Sequence, residues 1–292
     1  MRTASPLRYP GGKWRIAPFV SRLLQINDLV GREYVEPYAG GSSLAISLLL
    51  QGLVSKIHLN DIDPAIYSFW WSVLNMPDSM AELIADTPLT IDEWRRQKSI
   101  YSSGLQAGRL PLGFATLYLN RTNHSGIMNG GPIGGTRQTG IWKMDARFNR
   151  NELRRRIEKI ASHRKFIRIY RKDALAFLTD HPFSHDAVVY MDPPYFGQGK
   201  ALYYNAYDLS DHVSVKTFAD QFKCPWLISY DDVGEIRRLY RGHRSRRISL
   251  LHSARTVHIG SEIMFFNGSL RIPRISIPHA RKAAQKTSLE GD

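Results

Sequence analysis

The sequence predicts an α/β fold, a mostly parallel sheet covered by helices, and three observations carry that reading. Helix-like and strand-like stretches alternate through residues 7–75. The alternation resumes after residue 150. Short runs that are apolar throughout, such as Ala187-Val-Val-Tyr-Met191, end at turn residues, as expected of strands buried on both faces.

Taken in order, Lys13 to Gln25 carries Ile16, Phe19, Val20, Leu23 and Leu24 at helical spacing. Tyr34-Val-Glu-Pro reads as a strand stopped by Pro37 and the glycines Gly40 and Gly41. Ser42 or Ser43 is expected to cap a helix reaching about Gln51. Lys56 to Asp61 is a second strand, and Pro64 suits the first turn of a helix ending near Asn75.

Between Pro77 and Arg150 the pattern changes. Helical stretches at 91–102 and 111–119 precede Thr122-Asn-His-Ser-Gly-Ile-Met-Asn-Gly-Gly-Pro-Ile-Gly-Gly-Thr136, a run full of turn residues. A loop this long inside a compact domain is usually functional, and Arg137, Lys143 and Arg147 follow it closely. Residues 76–150 therefore read as an insertion between 1–75 and 151–278. Strands at 166–170, 187–191 and 226–230, a basic helix at 152–163, a short helix at 174–178 and a final antiparallel pair near 246–251 and 262–267 complete the main body. Residues 279–292 read as a disordered basic tail.

The 292 residues suffice for one sizeable core. Forty Lys and Arg against 26 Asp and Glu give a net charge of +14, which favours an anionic partner through counterion release. The single cysteine, Cys224, excludes an intrachain disulfide and a Cys-rich zinc site, and the ten histidines form no ligand-spaced cluster, so no metal is expected. No apolar run approaches the roughly 20 residues that span a bilayer. The first residues lack the apolar stretch of a secretory signal. The expectation is a cytoplasmic monomer without a membrane partner.

The most specific chemical signal is Asp192-Pro193-Pro194-Tyr195, placed directly after an apolar strand. Ligands of open α/β sheets bind beyond the carboxyl ends of the strands. An exocyclic amine on a nucleobase is a poor nucleophile, because its lone pair is delocalised into the ring. A carboxylate and a carbonyl that both accept its N–H bonds draw it toward tetrahedral geometry. Asp192 can be the carboxylate and Pro193 the carbonyl, on a turn that two prolines stiffen. Tyr195 can stack on a base taken out of the duplex. The plain alternative is a Pro-Pro turn with a solvated Asp.

Glu36-Pro-Tyr-Ala-Gly-Gly-Ser42 lies between a strand and a helix, where Gly40 lets backbone approach a ligand. It matches neither a dinucleotide fingerprint nor a P-loop, which argues against a nicotinamide oxidoreductase. Asp61, 21 residues after Gly40, can accept bonds from ribose hydroxyls, while Asp63 caps the following helix. Tyr9 and Lys13 can lie against a cofactor and reach its carboxylate, or form a plain turn before a basic helix. Asp173, at a strand end, can accept from a cofactor adenine or cap the helix that follows.

Together these stretches resemble the Dam-like, D12 class of DNA adenine-N6 methyltransferases. In that family a Gly-Gly-Lys turn, a Glu-Pro-aromatic glycine loop, an acidic loop, a recognition insertion and Asp-Pro-Pro-Tyr occur in this order. Here they are Tyr9-Pro-Gly-Gly-Lys13, Glu36 to Ser42, Asn60-Asp-Ile-Asp63, residues 76–150 and Asp192 to Tyr195. Tyr118-Leu-Asn-Arg121, Leu227-Ile-Ser229 and Glu262-Ile-Met-Phe-Phe-Asn267 match as well, so the resemblance spans roughly 5–270.

The resemblance implies a Rossmann-like S-adenosylmethionine-dependent methyltransferase sheet with an inserted, mostly helical DNA-recognition domain carrying a hairpin loop. It implies S-adenosyl-L-methionine as cofactor, with contacts at Tyr9, Lys13, Asp61 and Asp192, to which the loop adds Glu36 and Gly40 and the strand end Asp173. It implies that Asp192, Pro193 and Tyr195 hold a flipped adenine of double-stranded DNA. Arg8 and Arg121 match positions the family uses on DNA, and His124, Ser125, Ile127 and Arg137 are further DNA candidates. Many relatives carry an aromatic in the hairpin where this chain has Asn123-His-Ser-Gly-Ile127, so His124 or Ile127 is the candidate wedge. The rivals are cytosine-N4 methylation, which more often resembles Ser-Pro-Pro-Tyr, an RNA substrate, and a catalytically silent DNA-binding protein on the same fold.

Overall fold

A computed structural model describes residues 4–8, 13–180, 183–196, 207–254 and 256–274. Its sheet has seven strands: β1 (Glu33–Glu36), β2 (Lys56–Asn60), β3 (Ile167–Tyr170), β4 (Val188–Met191), β5 (Trp226–Asp231), β6 (Arg244–Ala254) and β7 (Thr256–Phe266), in the order β3-β2-β1-β4-β5-β7-β6. The first five are mutually parallel, and β7 runs antiparallel to both neighbours. This is the mostly parallel, helix-covered α/β sheet that the sequence predicts. The order reverses between β1 and β4, which pair through Tyr34–Val188 and Val35–Val189. A crevice opens at such a switch point, beyond the carboxyl ends of the two strands. Glu36 and Asp192 stand there.

Alternation along each strand explains why the runs are apolar throughout. Tyr34, Val188, Tyr190 and Leu227 enter one core; Val35, Val189, Met191, Trp226 and Ile228 enter the other. Successive side chains point to opposite faces, and both faces are covered. The first face is covered by α1 (Ala17–Ile26), α2 (Ser43–Leu50), α3 (Pro64–Asn75) and α7 (Arg150–Ala161), the second by α8 (Ala174–Asp180), α9 (Leu209–Gln221) and α10 (Gly234–Leu239).

Between α3 and α7 lie α4 (Pro77–Asp86), α5 (Ile91–Ser103) and α6 (Arg109–Thr122). The segment is helical, as expected, but it is not a detached body. Phe114, Leu117, Tyr118, Met144 and Phe148 share one core with Phe69, Trp70 and Val73 of α3. Gly113 makes the close crossing possible: a Cβ there would come within 2.6 Å of both the Ser68 carbonyl oxygen and Ser72 Oγ. After α6 the chain forms a short hairpin, with Asn123 bridged to Pro132 and Ile133 N donating to Thr122 O at 2.8 Å.

Several boundaries differ from the sequence expectation. The first helix opens with a 3₁₀ turn, Lys13–Ile16, because Pro18 lies at the start of the α-helical part. Neither Ser42 nor Ser43 caps α2. Ser42 takes a left-handed φ of 42° and donates its hydroxyl to Ala39 O, while Glu36 Oε1 accepts from Ala45 N at 3.1 Å. Helices α4, α9 and α10 were not anticipated. That of α9 was legible in Asp208 and Asp211, which form a reciprocal capping box. The last two strands are longer than expected and pair antiparallel from Arg244–Phe266 to Ala254–Thr256. Among the described residues no helix is long and apolar enough to cross a membrane. The expected basic tail lies outside the described residues.

Candidate active site

A cavity of about 690 Å³ lies at the switch point. Strand-end loops build its floor. Asn60, fully buried at the end of β2, donates to Pro37 O and Lys172 O, both at 3.0 Å, and accepts from Lys172 N at 3.0 Å. One side chain thus ties the loops after β1, β2 and β3. The glycine loop is held by Asp61 Oδ2, which accepts from Gly40 N at 2.8 Å, and by Trp70 Nε1, which donates to Gly40 O at 2.9 Å. Gly40 has φ +45°, a left-handed conformation that suits glycine.

Lys13, Glu36, Gly40, Asp61, Asp173, Asp192, Tyr195 and Ile127 all line this cavity, although they come from widely separated parts of the chain. Pro194 lines it too, whereas Pro193 is buried and does not. Tyr9 lies outside the described residues. Asp63 caps α3 by accepting from Ala65 N at 2.7 Å, and Asp173 caps α8 by accepting from Leu175 N and Ala176 N, both at 3.0 Å.

At the centre, Asp192 Oδ1 accepts from Ser229 Oγ at 2.7 Å and stands 3.2 Å from Lys13 Nζ. Ser229, having spent its proton on Asp192, accepts from Tyr190 OH at 2.7 Å. The Lys13 ammonium also donates to Glu262 Oε2 at 2.9 Å and to the Tyr195 hydroxyl, and Tyr195 OH donates to Glu262 Oε1 at 2.5 Å. Among the described residues Asp192 Oδ2 takes no hydrogen bond. Phe196 N donates to Asp231 Oδ1 at 3.1 Å, which fixes the chain leaving the Pro-Pro turn.

Burial governs the charges here. It pushes the Asp192 carboxyl above its usual range; the Lys13 cation opposes this and the Glu262 charge adds to it. For Lys13, burial works downward but the two carboxylates outweigh it, so its net shift is upward. Burial raises Glu36 to about 8 and Asp61 to about 7, the latter helped by the neighbouring Asp63.

Ser229, Glu262 and Asn60 are functional candidates that sequence reasoning did not single out. All three lie inside matched segments, Leu227–Ser229, Glu262–Asn267 and Asn60–Asp63, but only β5 and β7 packing side by side brings Ser229 and Glu262 to Asp192 and Tyr195. The cavity's remaining wall comes from the insertion: Lys98, Tyr101 and Ser102 of α5, and Ile127, Met128 and Asn129 of the hairpin. Tyr38 and Tyr207 meet edge to face at 6.1 Å on another side.

The other DNA candidates, Arg8, Arg121, His124, Ser125 and Arg137, do not line the cavity, whereas Asn120 and Gly126 do. Asn120 clamps Arg8 to the hairpin, accepting from Arg8 N at 2.7 Å and donating to Arg8 O and Gly126 O at 2.7 and 3.1 Å. Arg121 is not an outward-reaching side chain: it is 9% exposed, and its guanidinium donates to Pro6 O. Burial and the neighbouring Arg156, Arg8 and Arg147 lower it to about 9. Its immediate role is to hold the N-terminal segment. Arg8 Nη1 is buried with no hydrogen-bond partner among the described residues. His124 and Arg137 are exposed, and Ser125 is half-buried with a left-handed φ of 56°.

The family model of the D12 class N6 adenine-specific DNA methyltransferases matches residues 9–259, from the Gly-Gly-Lys turn into β7. The chain belongs to that family. It is thus an adenine-specific DNA methyltransferase of the D12 class, whose fold carries the Asp192 turn at the sheet's switch point. Among curated proteins no relative matches the chain. In three dimensions this D12-class chain is distantly similar to a Pyrococcus horikoshii protein provisionally described as an RNA methyltransferase, with a TM-score of 0.39 and 11% identity, over 86% of this chain and 82% of that one.

Proposed function

We propose that the chain transfers a methyl group from S-adenosyl-L-methionine to N6 of an adenine extruded from double-stranded DNA. The observation that carries this reading is Asp192, held at the switch point by Lys13 and Ser229 with its second oxygen unengaged among the described residues. When bound, the sulfonium supplies an electrophilic methyl group and a thioether leaving group.

The cavity suits such a cofactor. Its size falls in the range of small-molecule sites. Glu36 and Asp61 are carboxyls that burial holds partly protonated, and a cationic ligand would ionise them favourably. Asp61 keeps lone pairs for ribose hydroxyls beyond the two backbone N–H groups it accepts. Asp173 and the aromatic pair Tyr38 and Tyr207 offer an adenine site. Lys13, bound to two carboxylates, acts through Asp192 and Tyr195 as well as on a ligand carboxylate.

Asp192 accepts an N6 hydrogen and draws the amine toward tetrahedral geometry. As the N6–methyl bond forms and the sulfur–methyl bond breaks, the amine becomes acidic and Asp192 takes its surplus proton. The raised pKa of Asp192 suits that role. Tyr195, its hydroxyl fixed by Glu262 and Lys13, stacks on the base. Arg8 and the exposed cations Arg137 and Arg147 meet the phosphate backbone, within a net charge of +14.

The test is incorporation of labelled methyl from S-adenosylmethionine into unmethylated duplex DNA, followed by nucleoside analysis. N6-methyladenine is expected, and Asp192→Ala abolishes it in a folded protein. N4-methylcytosine as product, or no incorporation by folded wild-type protein, overturns the proposal.

A further inference from the structure

The loop after the hairpin, residues 134–143, presents two large apolar side chains to solvent. Ile141 is 95% exposed and Trp142 70%, the two highest values among the large hydrophobic side chains described. Isolated exposed apolar residues are ordinary. An adjacent pair, so fully exposed and including an indole, is not what packing alone would leave at the surface.

The loop that holds them is tightly built. Its feet are the buried Ile133 and Met144. Gln138, at a left-handed φ of 51°, donates through Nε2 to Ile133 O and Gly135 O at 2.8 and 2.7 Å, and its Oε1 accepts from Met144 N at 3.1 Å. Lys143 Nζ donates to the Gln138 carbonyl. Gly134, at φ +86°, lets the chain close: a Cβ there would lie 2.7 Å from the Trp142 carbonyl oxygen. The backbone under Trp142 is therefore pinned while its ring stands free of the core.

Around the tip, Arg137, Lys143 and Arg147 are exposed, against the single exposed acid Asp145. The hairpin that precedes this loop places Ile127 at the cavity. An apolar ring on a rigid loop, flanked in the chain by exposed cations and following the hairpin at the lip of the base pocket, fits one kind of partner, the stacked interior of duplex DNA. We propose that Trp142, supported by Ile141, is the side chain that enters the base stack where the adenine leaves. It would take the part that the sequence left to His124 or Ile127. Ile127 instead faces the cavity, and His124 is a polar ring. This rests on the reading that the adenine is extruded from a duplex.

The experiment compares wild type, Trp142→Ala and Trp142→Phe on two duplexes carrying the adenine-containing sequence that selection for DNA binding identifies. One duplex is fully paired; in the other the thymine opposite the target adenine is replaced by an abasic site, so the adenine is already unpaired and costs less to extrude. Dissociation constants are read by fluorescence anisotropy, and cofactor affinity by calorimetry confirms an intact fold. Trp142→Ala is expected to weaken binding to the paired duplex about tenfold, the scale of one base–aromatic stack, and to the abasic duplex less than threefold. Trp142→Phe recovers most of the loss. Equal weakening on both duplexes, or none, overturns the proposal. A wild type that binds DNA but transfers no methyl would overturn the methyl-transfer reading instead, and leaves the comparison of duplexes intact.

Discussion

Lys13 Nζ stands 3.2 Å from Asp192 Oδ1 and 2.9 Å from Glu262 Oε2, so one buried ammonium is shared by two carboxylates. Lys13 precedes the first helix, Asp192 ends β4 and Glu262 lies in β7. The cluster carries one more negative than positive charge when all three ionise, and that imbalance sets how Asp192 titrates.

The acid limb of the pH–rate profile follows from it. Asp192 must be ionised to accept an N6 hydrogen, and burial, with the Glu262 charge added, raises its pKa against the pull of Lys13. Methylation should therefore fall on acidification at a pH above the ordinary Asp value of about 3.9. Lys13→Met removes the stabilising cation, so the limb moves to higher pH in a protein that is also less stable by several kcal/mol. kcat/KM measured across pH for both proteins checks this; an unmoved limb would refute the assignment of that limb to Asp192.

Glu262→Gln should do the opposite to the limb. It removes the negative charge that raises Asp192, so the limb moves to lower pH. Tyr195 and Lys13 also lose a charged partner worth on the order of 2 kcal/mol, so kcat should drop about tenfold or more while cofactor affinity changes little. A loss confined to thermal stability, with kcat and limb unchanged, would make Glu262 merely structural.

Glu36 makes stability depend on pH. Its folded pKa is raised by burial from 4.5 to about 8. The folded state therefore holds this proton more tightly than the unfolded chain. The contribution is complete below pH 4.5 and is lost as pH rises through about 8, on the order of a few kcal/mol. Glu36→Gln keeps an acceptor for Ala45 N and cannot ionise. Urea titrations at several pH values should show wild type weakening over this window and the variant less so; parallel curves would contradict the assignment.

Gly113→Ala should destabilise the protein by about 1–3 kcal/mol, because its methyl group would press on the Ser68 carbonyl where α6 crosses α3. Since α6 leads into the hairpin, DNA affinity should fall with it. Chemical denaturation gives the first quantity, and a stability equal to wild type would mean that the crossing relaxes freely.

Much was legible in the sequence because it depends on neighbours in the chain. The period of apolar residues marked β1, β2, β4 and β5, and turn chemistry marked the loops at their ends. The order of Gly-Gly-Lys, the glycine loop, the acidic loop and Asp-Pro-Pro-Tyr named the family whose model matches residues 9–259. The parts that were missed depend on partners distant in sequence. Glu36 replaces serine at the start of α2 because the β1 turn brings its carboxyl to Ala45 N. Arg121 matches a position the family uses on DNA, yet α6 turns it inward onto Pro6. Ser229 and Glu262 carry no local signature of a site, and only strand pairing sets them beside Asp192 and Tyr195. Residue types and their spacing determined the fold class and the chemistry available. The tertiary structure decided which carboxyls share a cation, which arginine is buried and which tryptophan stands exposed, because burial and charge coupling act through space.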